Sequence, residues 1–327
     1  MGKDERIKLM AGTADRNDSQ SGVKERLVSR QRALAAAGVE TDAFRLINGA
    51  ADGQPDLAVE ALGPHWIVQA KERGLPQGWS RWVDAGVCGS LWLKQLSTGE
   101  KAAPVLVAGA APETFAVTEC GMKLEVQPAA GYSCGVFLDQ RDNRRRVRAL
   151  AAEHPGTRVL NLFSYTCSFS VAAALGGAVV TSVDLNAGYL SWGRRNFTLN
   201  GLDPDAHHWI KGDSFDWLAA FAKKGRQFDG VVLDPPTFSR GIKKKVFRVE
   251  QDYAELVALT AKVIAPGGWL LACANTHRME NAAFAATVRQ GLMKAGRRAT
   301  GGLEPAPMPV DFPGSTYLKS LWAWRVE

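Results

Sequence analysis

From residue 131 onward the chain alternates short apolar runs with alanine-rich or amphipathic stretches. The runs at 158–162, 178–183 and 228–233 are bounded by glycine, proline or acidic residues. Such short runs are typical of buried parallel strands. A helix at 168–175 separates the first two, which makes a strand–helix–strand unit. The pattern predicts an α/β fold with a doubly wound parallel sheet, closed by a last strand at 317–326.

The first part of the chain has a different pattern. Residues 1–40 form a polar leader with a short predicted helix at 24–37. Residues 41–130 are predicted to form a smaller, strand-rich domain, and 131–327 the doubly wound domain. The apolar runs behind the middle assignment are 57–60, 66–69, 105–107, 115–117 and 124–126. The tryptophans there, Trp66, Trp79, Trp82 and Trp92, are predicted to be core residues rather than platforms for stacked bases.

Polar residues follow the predicted parallel strands at their carboxyl ends. Asn161 and Ser164 close the first strand and its loop, and Asp184, Asp213 and Asp234 end the next three in chain order. Ligands of open α/β sheets bind at this edge. The order of these residues therefore predicts a single binding cleft.

The loop after the first strand indicates the class of cofactor. An acid about 20 residues beyond that loop is the layout of a nucleotide-binding unit, in which Asp184 would accept the ribose hydroxyls. A pyrophosphate requires glycines in the loop, and this one has Asn, Ser, Thr and Cys instead. S-adenosylmethionine is a nucleoside without phosphate, so it does not require glycines in the loop. Asp213 would accept from the adenine amino group, although a helix N-cap is an equal alternative for it.

The turn at 234–239 offers acceptors to a substrate. Proline has no N–H, so Pro235 and Pro236 leave carbonyl groups and the Asp234 carboxylate facing the cleft. This arrangement suits a planar, nitrogen-bearing group, with Phe238 as a stacking face. The alternative is an ordinary acid at a strand end, followed by a proline stop.

Positive charge is concentrated beside the predicted cleft. The formal net charge is +7, with arginines crowded at 141–148 and lysines at 243–245. Such clusters position nucleic-acid phosphates, although a solvated surface is an equal alternative here. The residues predicted to contact RNA are Arg141, Arg144, Lys243, Lys244 and Lys245.

Composition excludes several other classes. No apolar run reaches the roughly 18 residues of a membrane span, and the start lacks the apolar core of a signal peptide. The five cysteines have no C-x-x-C spacing, and the five histidines form no metal pattern. We expect a cytoplasmic enzyme without a metal; a homo-oligomer stays open.

Several blocks together resemble a known family. They lie at 135–144, 161–166, 183–184, 196–202 and 234–239. They are similar to class I S-adenosylmethionine-dependent methyltransferases, specifically the bacterial large-subunit ribosomal RNA methyltransferases, which include 5-methylcytosine and N7-methylguanosine enzymes. Residues 189–192 and 237–239 look most like the N7-guanine branch. The resemblance implies a Rossmann-like sheet with an antiparallel last strand, a small middle α/β domain, and ribosomal RNA as partner.

Three positions depart from the family pattern. Cys167 stands where the family usually has glycine, so the cofactor loop must tolerate a Cβ. Residues 1–40 are too short and polar for the small RNA-binding PUA domain of many members. Asn275 stands where the cytosine branch has its nucleophilic cysteine. Cys273, two positions earlier, is expected to be a small buried hydrophobe.

The sequence thus predicts methyl transfer to a base nitrogen of structured RNA, with guanine N7 favoured. The alternatives are a small-molecule or protein N-methyltransferase, a 5-methylcytosine enzyme that uses a cysteine, and a catalytically idle RNA-binding protein. The predicted catalytic residues are Asp234, Pro235, Phe238 and Asn275. The predicted cofactor-binding residues are Asn161, Phe163, Ser164, Tyr165, Thr166, Asp184, Leu185, Asp213, Ser214 and Asp234.

Overall fold

The computed structural model describes residues 20–71, 74–75, 78–96, 102–240 and 246–327. Helices and strands are numbered in chain order. The helices are α1 (Gln20–Ala36), α2 (Arg81–Asp84), α3 (Arg141–Glu153), α4 (Ser168–Leu175), α5 (Ala187–Leu199), α6 (Ser214–Lys223), α7 (Val249–Ala261) and α8 (Asn281–Lys294). The strands are β1 (Ala43–Asn48), β2 (Leu57–Leu62), β3 (His65–Ala70), β4 (Ser90–Gln95), β5 (Val105–Gly109), β6 (Phe115–Glu119), β7 (Met122–Val126), β8 (Arg158–Leu162), β9 (Val179–Asp184), β10 (His208–Lys211), β11 (Phe228–Leu233), β12 (Phe238–Arg240), β13 (Val246–Arg248), β14 (Ile264–Asn275), β15 (Leu303–Ala306) and β16 (Leu318–Val326).

The larger unit is built on a seven-stranded sheet. Its strand order is β10-β9-β8-β11-β14-β16-β15. Strands β8 to β11 and β14 pair in parallel, whereas β16 pairs antiparallel with β14 and β15. The predicted doubly wound α/β sheet with an antiparallel last strand is therefore confirmed.

Apolar side chains account for the position of β11 at the centre of this sheet. Val231, Val232 and Leu233 are completely buried, and the strand lies between β8 and β14. Gly230 admits the indole of Trp269, because a Cβ there would lie 2.1 Å from a ring carbon. The site-bearing strand is thus fixed on both sides by close packing.

The helices of this unit pack in two series. Helices α3, α4 and α5 lie side by side, and so do α6, α7 and α8. Helix α7 carries the fully buried Tyr253, whose hydroxyl donates to the Cys273 carbonyl at 2.8 Å. That bond lies beside the ends of β11 and β14 and ties the helix to the strands that carry the site.

The smaller unit contains a second sheet. Within the described residues it comprises the chain up to Gly121, Val126–Leu138 and Val310–Gly314. Its five strands are ordered β1-β2-β3-β4-β5, with β3 and β4 parallel and the other neighbours antiparallel. Trp66, Trp79, Trp82 and Trp92 are at most 8% exposed, as predicted for core residues.

The larger unit contains Met122–Glu125, Asp139–Pro309 and Ser315–Glu327. The chain passes between the two units several times, which a division into consecutive blocks does not express. The predicted domain boundaries at residues 40 and 130 stay predictions. No helix among the described residues has the length and apolarity that crossing a membrane requires.

Candidate active site

The carboxyl ends of the parallel strands bring the predicted residues to one edge. The register places Leu162 beside Val183 and Leu233, and Leu233 beside Ala272. The segments that follow these positions therefore meet. They are the loop at 163–167, Asp184 with the start of α5, the turn at 234–237, and Asn275 at the end of β14.

The loop at 163–167 has an unusual backbone. Phe163, Tyr165 and Cys167 have φ of 55°, 49° and 62°, in the left-handed region that side chains other than glycine rarely adopt. Such conformations cost free energy and persist only where the surroundings hold them. Because three of the five residues adopt this conformation, neighbouring elements must hold the loop.

Hydrogen bonds from neighbouring elements hold this loop. The Tyr165 N–H donates to Asp184 Oδ2 at 2.9 Å, and the Ser164 N–H to the Val183 carbonyl at 3.0 Å. From α5, Asn196 Nδ2 donates to the Thr166 carbonyl at 2.9 Å. The loop is therefore fixed from the strand on one side and from the helix on the other.

Cys167 fits because a glycine faces it. A Cβ at Gly193 on α5 would lie 2.6 Å from Cys167 Sγ and 2.8 Å from its Cβ. The thiol is fully buried and donates to Ser164 Oγ and the Tyr165 carbonyl, each at 3.5 Å. Burial raises its pKa to about 12, so it stays neutral. The departure from the family glycine at 167 is thus accommodated by Gly193.

Asp184 keeps acceptor positions that suit the ribose contact predicted for it. Its Oδ2 accepts from Tyr165 N and its Oδ1 from Asn186 N at 2.8 Å. Burial raises the pKa of this carboxyl, and the two N–H groups partly offset that effect. Each carboxylate oxygen has two lone-pair directions, so each retains one for a ribose hydroxyl. Leu185 follows and is 36% exposed, as an apolar surface beside this position.

Asp213 caps helix α6. Its Oδ1 accepts from Phe215 N at 2.9 Å, which is the N-cap role weighed for it in the sequence. Oδ2 is its remaining acceptor, so the adenine contact stays a compatible prediction. Ser214 is only 3% exposed.

Two of the predicted cofactor residues are buried next to the loop. Asn161 is 2% exposed and donates from Nδ2 to Ser170 Oγ at 2.8 Å, and that hydroxyl also bonds Ser182 Oγ. Thr166 is fully buried. Their predicted contact with a cofactor is untested; Asn161 ties β8 to α4 and, through Ser170, to β9.

Asp234 at the end of β11 carries the most perturbed carboxyl of the edge. Gln140 Nε2 donates to its Oδ2 at 2.9 Å. Burial, with a smaller contribution from the Asp139 charge, raises its pKa to about 7, while the Gln140 bond and the Arg144 charge act in the opposite direction. A perturbed group of this kind in a cleft is typical of a functional site.

The turn after Asp234 is tied to the end of β14. Thr237 Oγ1 donates to the Asn275 carbonyl at 2.6 Å. Pro235 is buried, whereas Asn275 is exposed. The structure thus brings Asp234, Pro235 and Asn275 to one edge. The side chain of Phe238 lies outside the described residues, as do Lys243, Lys244 and Lys245.

Cys273 does not face the cleft as a nucleophile. It is fully buried on β14, and its Sγ lies 3.9 Å from Gln140 Oε1 and 3.7 Å from Ser320 Oγ. Burial and the Asp234 charge raise the pKa of this thiol well above its usual value. A thiolate is the reactive form, and burial together with the raised pKa disfavours that form at Cys273.

Comparison with known proteins identifies the family to which this site belongs. The family described as S-adenosylmethionine-dependent methyltransferase matches residues 66–291. This chain belongs to that family. It is an enzyme of the methyltransferase class and its cofactor is S-adenosylmethionine. The residues fit that cofactor, because Asp184 offers two acceptors to a diol and the loop has no glycines to cradle a phosphate.

Individual relatives of this methyltransferase have informative names. The chain is 31% identical over 335 residues to ribosomal RNA large subunit methyltransferase I of Klebsiella pneumoniae, covering 96% of this chain and 83% of that protein. It is 42% identical over 164 residues to ribosomal RNA large subunit methyltransferase K of Neisseria meningitidis, covering 50% and 46%. A solved methyltransferase complexed with SAH superposes with a TM-score of 0.76 and 26% identity, covering 92% and 80%.

Two arginines of the methyltransferase are placed differently from the sequence prediction. Arg141 is 0% and Arg144 1% exposed, so neither presents a guanidinium to a phosphate at the surface. The first turn of α3 packs into the unit, and the Arg144 guanidinium lies 6.0 Å from the centre of the Phe169 ring. Their burial does not support the predicted contact with RNA, which stays a prediction; in this structure the charge of Arg144 instead lowers the pKa of Asp234.

Sequence reasoning also missed residues that support the site. Gln140 bonds Asp234, Asn143 bonds Gln140, and Asn196 holds the cofactor loop. Gln140 and Asn143 lie in the block 135–144 and Asn196 in the block 196–202, which the family resemblance had marked. The resemblance indicated that these blocks matter, but the partners of their side chains are visible only in the fold.

Replacing Asp184 by alanine should weaken S-adenosylmethionine binding roughly ten- to a hundredfold, because hydrogen bonds to a charged acceptor are lost. Calorimetry of the purified protein measures this. Asp203→Ala is the matched control, since Asp203 also accepts a backbone N–H, from Asp205, but caps a turn before β10. Equal affinity of the two variants would contradict the assignment.

Gly193→Ala should destabilise the protein by about 1–3 kcal/mol, since its Cβ would overlap Cys167. The affinity for S-adenosylmethionine should also fall, because the same overlap would displace the cofactor loop. Thermal unfolding and calorimetry provide the two measurements. The double variant Gly193→Ala/Cys167→Gly should recover most of both losses; if it recovers neither, the pairing of these two positions is not what shapes the loop.

Proposed function

We propose that this enzyme methylates a base nitrogen of ribosomal RNA, with guanine N7 favoured. Two relatives named as ribosomal RNA large subunit methyltransferases support the class of substrate, and the net charge of +7 is compatible with an anionic partner. A ribosomal RNA substrate implies action in the cytoplasm. The observation that carries the choice of atom is the pair formed by Asp234, an acceptor, and Cys273, a buried neutral thiol.

Nitrogen methylation needs little from the protein besides positioning. The cofactor supplies an electrophilic methyl group on a sulfonium, and guanine N7 already has a free lone pair to accept it. No general base has to remove a proton from N7. The contribution of the enzyme is then the orientation of the base and of the cofactor at the same edge.

Asp234 suits the Watson–Crick side of guanine. That side presents N–H donors, and an ionised carboxyl is an acceptor only. Methylation at N7 leaves positive charge on the base, which a carboxylate in a site of low dielectric would stabilise. The carbonyl groups of the Pro235–Pro236 turn supply further acceptors without competing N–H donors. A base in a structured RNA would have to leave its stack to reach this edge.

The 5-methylcytosine alternative requires a different residue. Carbon 5 of cytosine becomes nucleophilic only after a thiolate adds at carbon 6, which demands an accessible sulfur. All five cysteines lie in the described residues; Cys120 is half-buried and the other four are buried. Cys273 and Cys167, the two at this edge, have raised thiol pKa values. These features favour the nitrogen route.

The proposal predicts different outcomes for two neighbouring residues. Asp234→Asn should reduce methyl transfer to protein-free large-subunit ribosomal RNA by about a hundredfold or more, because charge stabilisation is lost. Cys273→Ala should remain close to wild type. Label from methyl-tritiated S-adenosylmethionine, followed into the nucleosides of the digested RNA, measures both.

A small-molecule or protein methyltransferase would leave the RNA unlabelled and label the matching fraction of a cell extract. A dead Cys273→Ala enzyme, or a covalent complex with RNA containing 5-fluorocytosine, would overturn the nitrogen assignment. An inactive protein that still binds RNA would favour the catalytically idle alternative.

The direction in which the rate changes with pH distinguishes guanine from cytosine as the methylated base. The Asp234 carboxyl, with its pKa raised to about 7, is protonated at lower pH and ionised at higher pH. If the anion accepts from guanine, the single-turnover rate should rise from pH 6 to pH 8 and then level off. A neutral carboxyl that donates to cytosine N3 would give a rate that falls over the same interval. Asp234→Asn should remove this step from the profile.

A further inference from the structure

A chain of buried amide groups lies behind Asp234. Gln140 is 2% exposed and ends a 3₁₀ turn, and Asn143 is 5% exposed and lies in the first turn of α3. Asn143 Nδ2 donates to Gln140 Oε1 at 2.7 Å, and Gln140 Nε2 donates to Asp234 Oδ2 at 2.9 Å. At the other end, Trp322 Nε1 donates to Asn143 Oδ1 at 3.3 Å.

The indole fixes the direction of this chain. An amide can be turned over in a structure, but the Trp322 N–H only donates. Asn143 must therefore face Trp322 with Oδ1, which leaves its Nδ2 for Gln140. Gln140 in turn must accept with Oε1 and donate with Nε2. The order of donors along Trp322, Asn143, Gln140 and Asp234 follows from chemistry rather than from the fit of one amide.

Two further groups, Ser320 and Cys273, support the same assignment of donors and acceptors. Asn143 Nδ2 also donates to Ser320 Oγ at 2.9 Å, which suits an NH₂ group and its two hydrogens. The Cys273 thiol lies 3.9 Å from Gln140 Oε1, and its raised pKa keeps the S–H available as a donor. Oε1 of Gln140 thus faces donors on two sides, and its Nε2 is left to the carboxyl.

We propose that Gln140 is a positioning residue that reserves Oδ2 of Asp234 for an internal hydrogen bond and so makes Oδ1 the oxygen that meets the substrate. No hydrogen bond from the described side chains or backbone reaches Oδ1. The use of Oδ1 on a base rests on the proposed function. The orientation of the carboxyl by Gln140 does not.

The hydrogen bond from Gln140 makes the two oxygens of Asp234 unequal as sites for a proton. The Gln140 N–H takes one of the two lone-pair directions of Oδ2, whereas no hydrogen bond from the described residues reaches Oδ1, so Oδ1 is the favoured oxygen for a proton. The other charged and titratable groups that act on this carboxyl are Asp139, which raises its pKa, and Arg144, which lowers it. Cys273 and Tyr253 also lie close enough to feel its charge, and both remain neutral because their own pKa values are raised.

The test is a titration of the Asp234 carboxyl in two variants. Gln140→Met removes the N–H and keeps the size, and Asn143→Leu removes the group that orients Gln140. Carbon-13 NMR of aspartate-labelled protein, with the Asp234 signal assigned by its absence in Asp234→Asn, gives the pKa directly. Gln140→Met should shift it upward by about one to two units, since a hydrogen bond to a charged group is worth about ten- to a hundredfold. Asn143→Leu should shift it in the same direction by less.

Thr260→Val is the control for loss of a buried hydrogen bond, because Thr260 is fully buried on α7 and donates only to the Leu256 carbonyl. It should leave the titration unchanged at a similar loss of stability. If neither Gln140→Met nor Asn143→Leu moves the carboxyl titration, the positioning role is wrong. If the titration moves and the midpoint of the pH–rate profile moves with it, both proposals are supported. If the titration moves while the rate stays independent of pH, Gln140 positions Asp234 and the proposed function of Asp234 fails.

Discussion

The desolvation of the Asp234 carboxyl is the constraint on which the rest of the site depends. Desolvation raises its pKa to about 7, so the folded protein binds a proton there that the unfolded chain releases near pH 4. The stability cost of this group is absent below pH 4 and complete above pH 7, because the unfolded state then has the better-solvated anion. Gln140 and Arg144 limit that cost by interacting with the ionised form. A chain accepts such a destabilising group where function needs it.

The loop at 163–167 likewise depends on neighbouring residues for its conformation. Three left-handed residues shape the loop without a glycine, and Asp184, Asn196 and the small Gly193 hold them in place. Asp184 both fixes the loop through Tyr165 N and offers its remaining lone pairs to a diol. The shape of the loop therefore depends on Asp184, and under the predicted ribose contact a change at this carboxylate affects the loop and nucleoside binding together.

The strands and the polar residues at their carboxyl ends could be predicted from the sequence, because buried apolar runs and strand-ending acids are local signals. The burial of Arg141 and Arg144 could not, since an arginine-rich helix start has the same sequence whether it faces water or a neighbouring helix. The chain from Trp322 through Asn143 to Gln140 joins residues about 180 positions apart, and no local pattern reports such a contact. The pairing of Cys167 with Gly193 is hidden for the same reason.

In the proposed function, the acceptor at Asp234 and the buried thiol at Cys273 direct the methyl group to a base nitrogen. Mass-spectrometric mapping of modified nucleosides in large-subunit ribosomal RNA, from cells with and without this gene, tests it most directly. We expect that one 7-methylguanosine disappears with the gene while every 5-methylcytidine remains. Loss of a 5-methylcytidine with all 7-methylguanosine retained would contradict it.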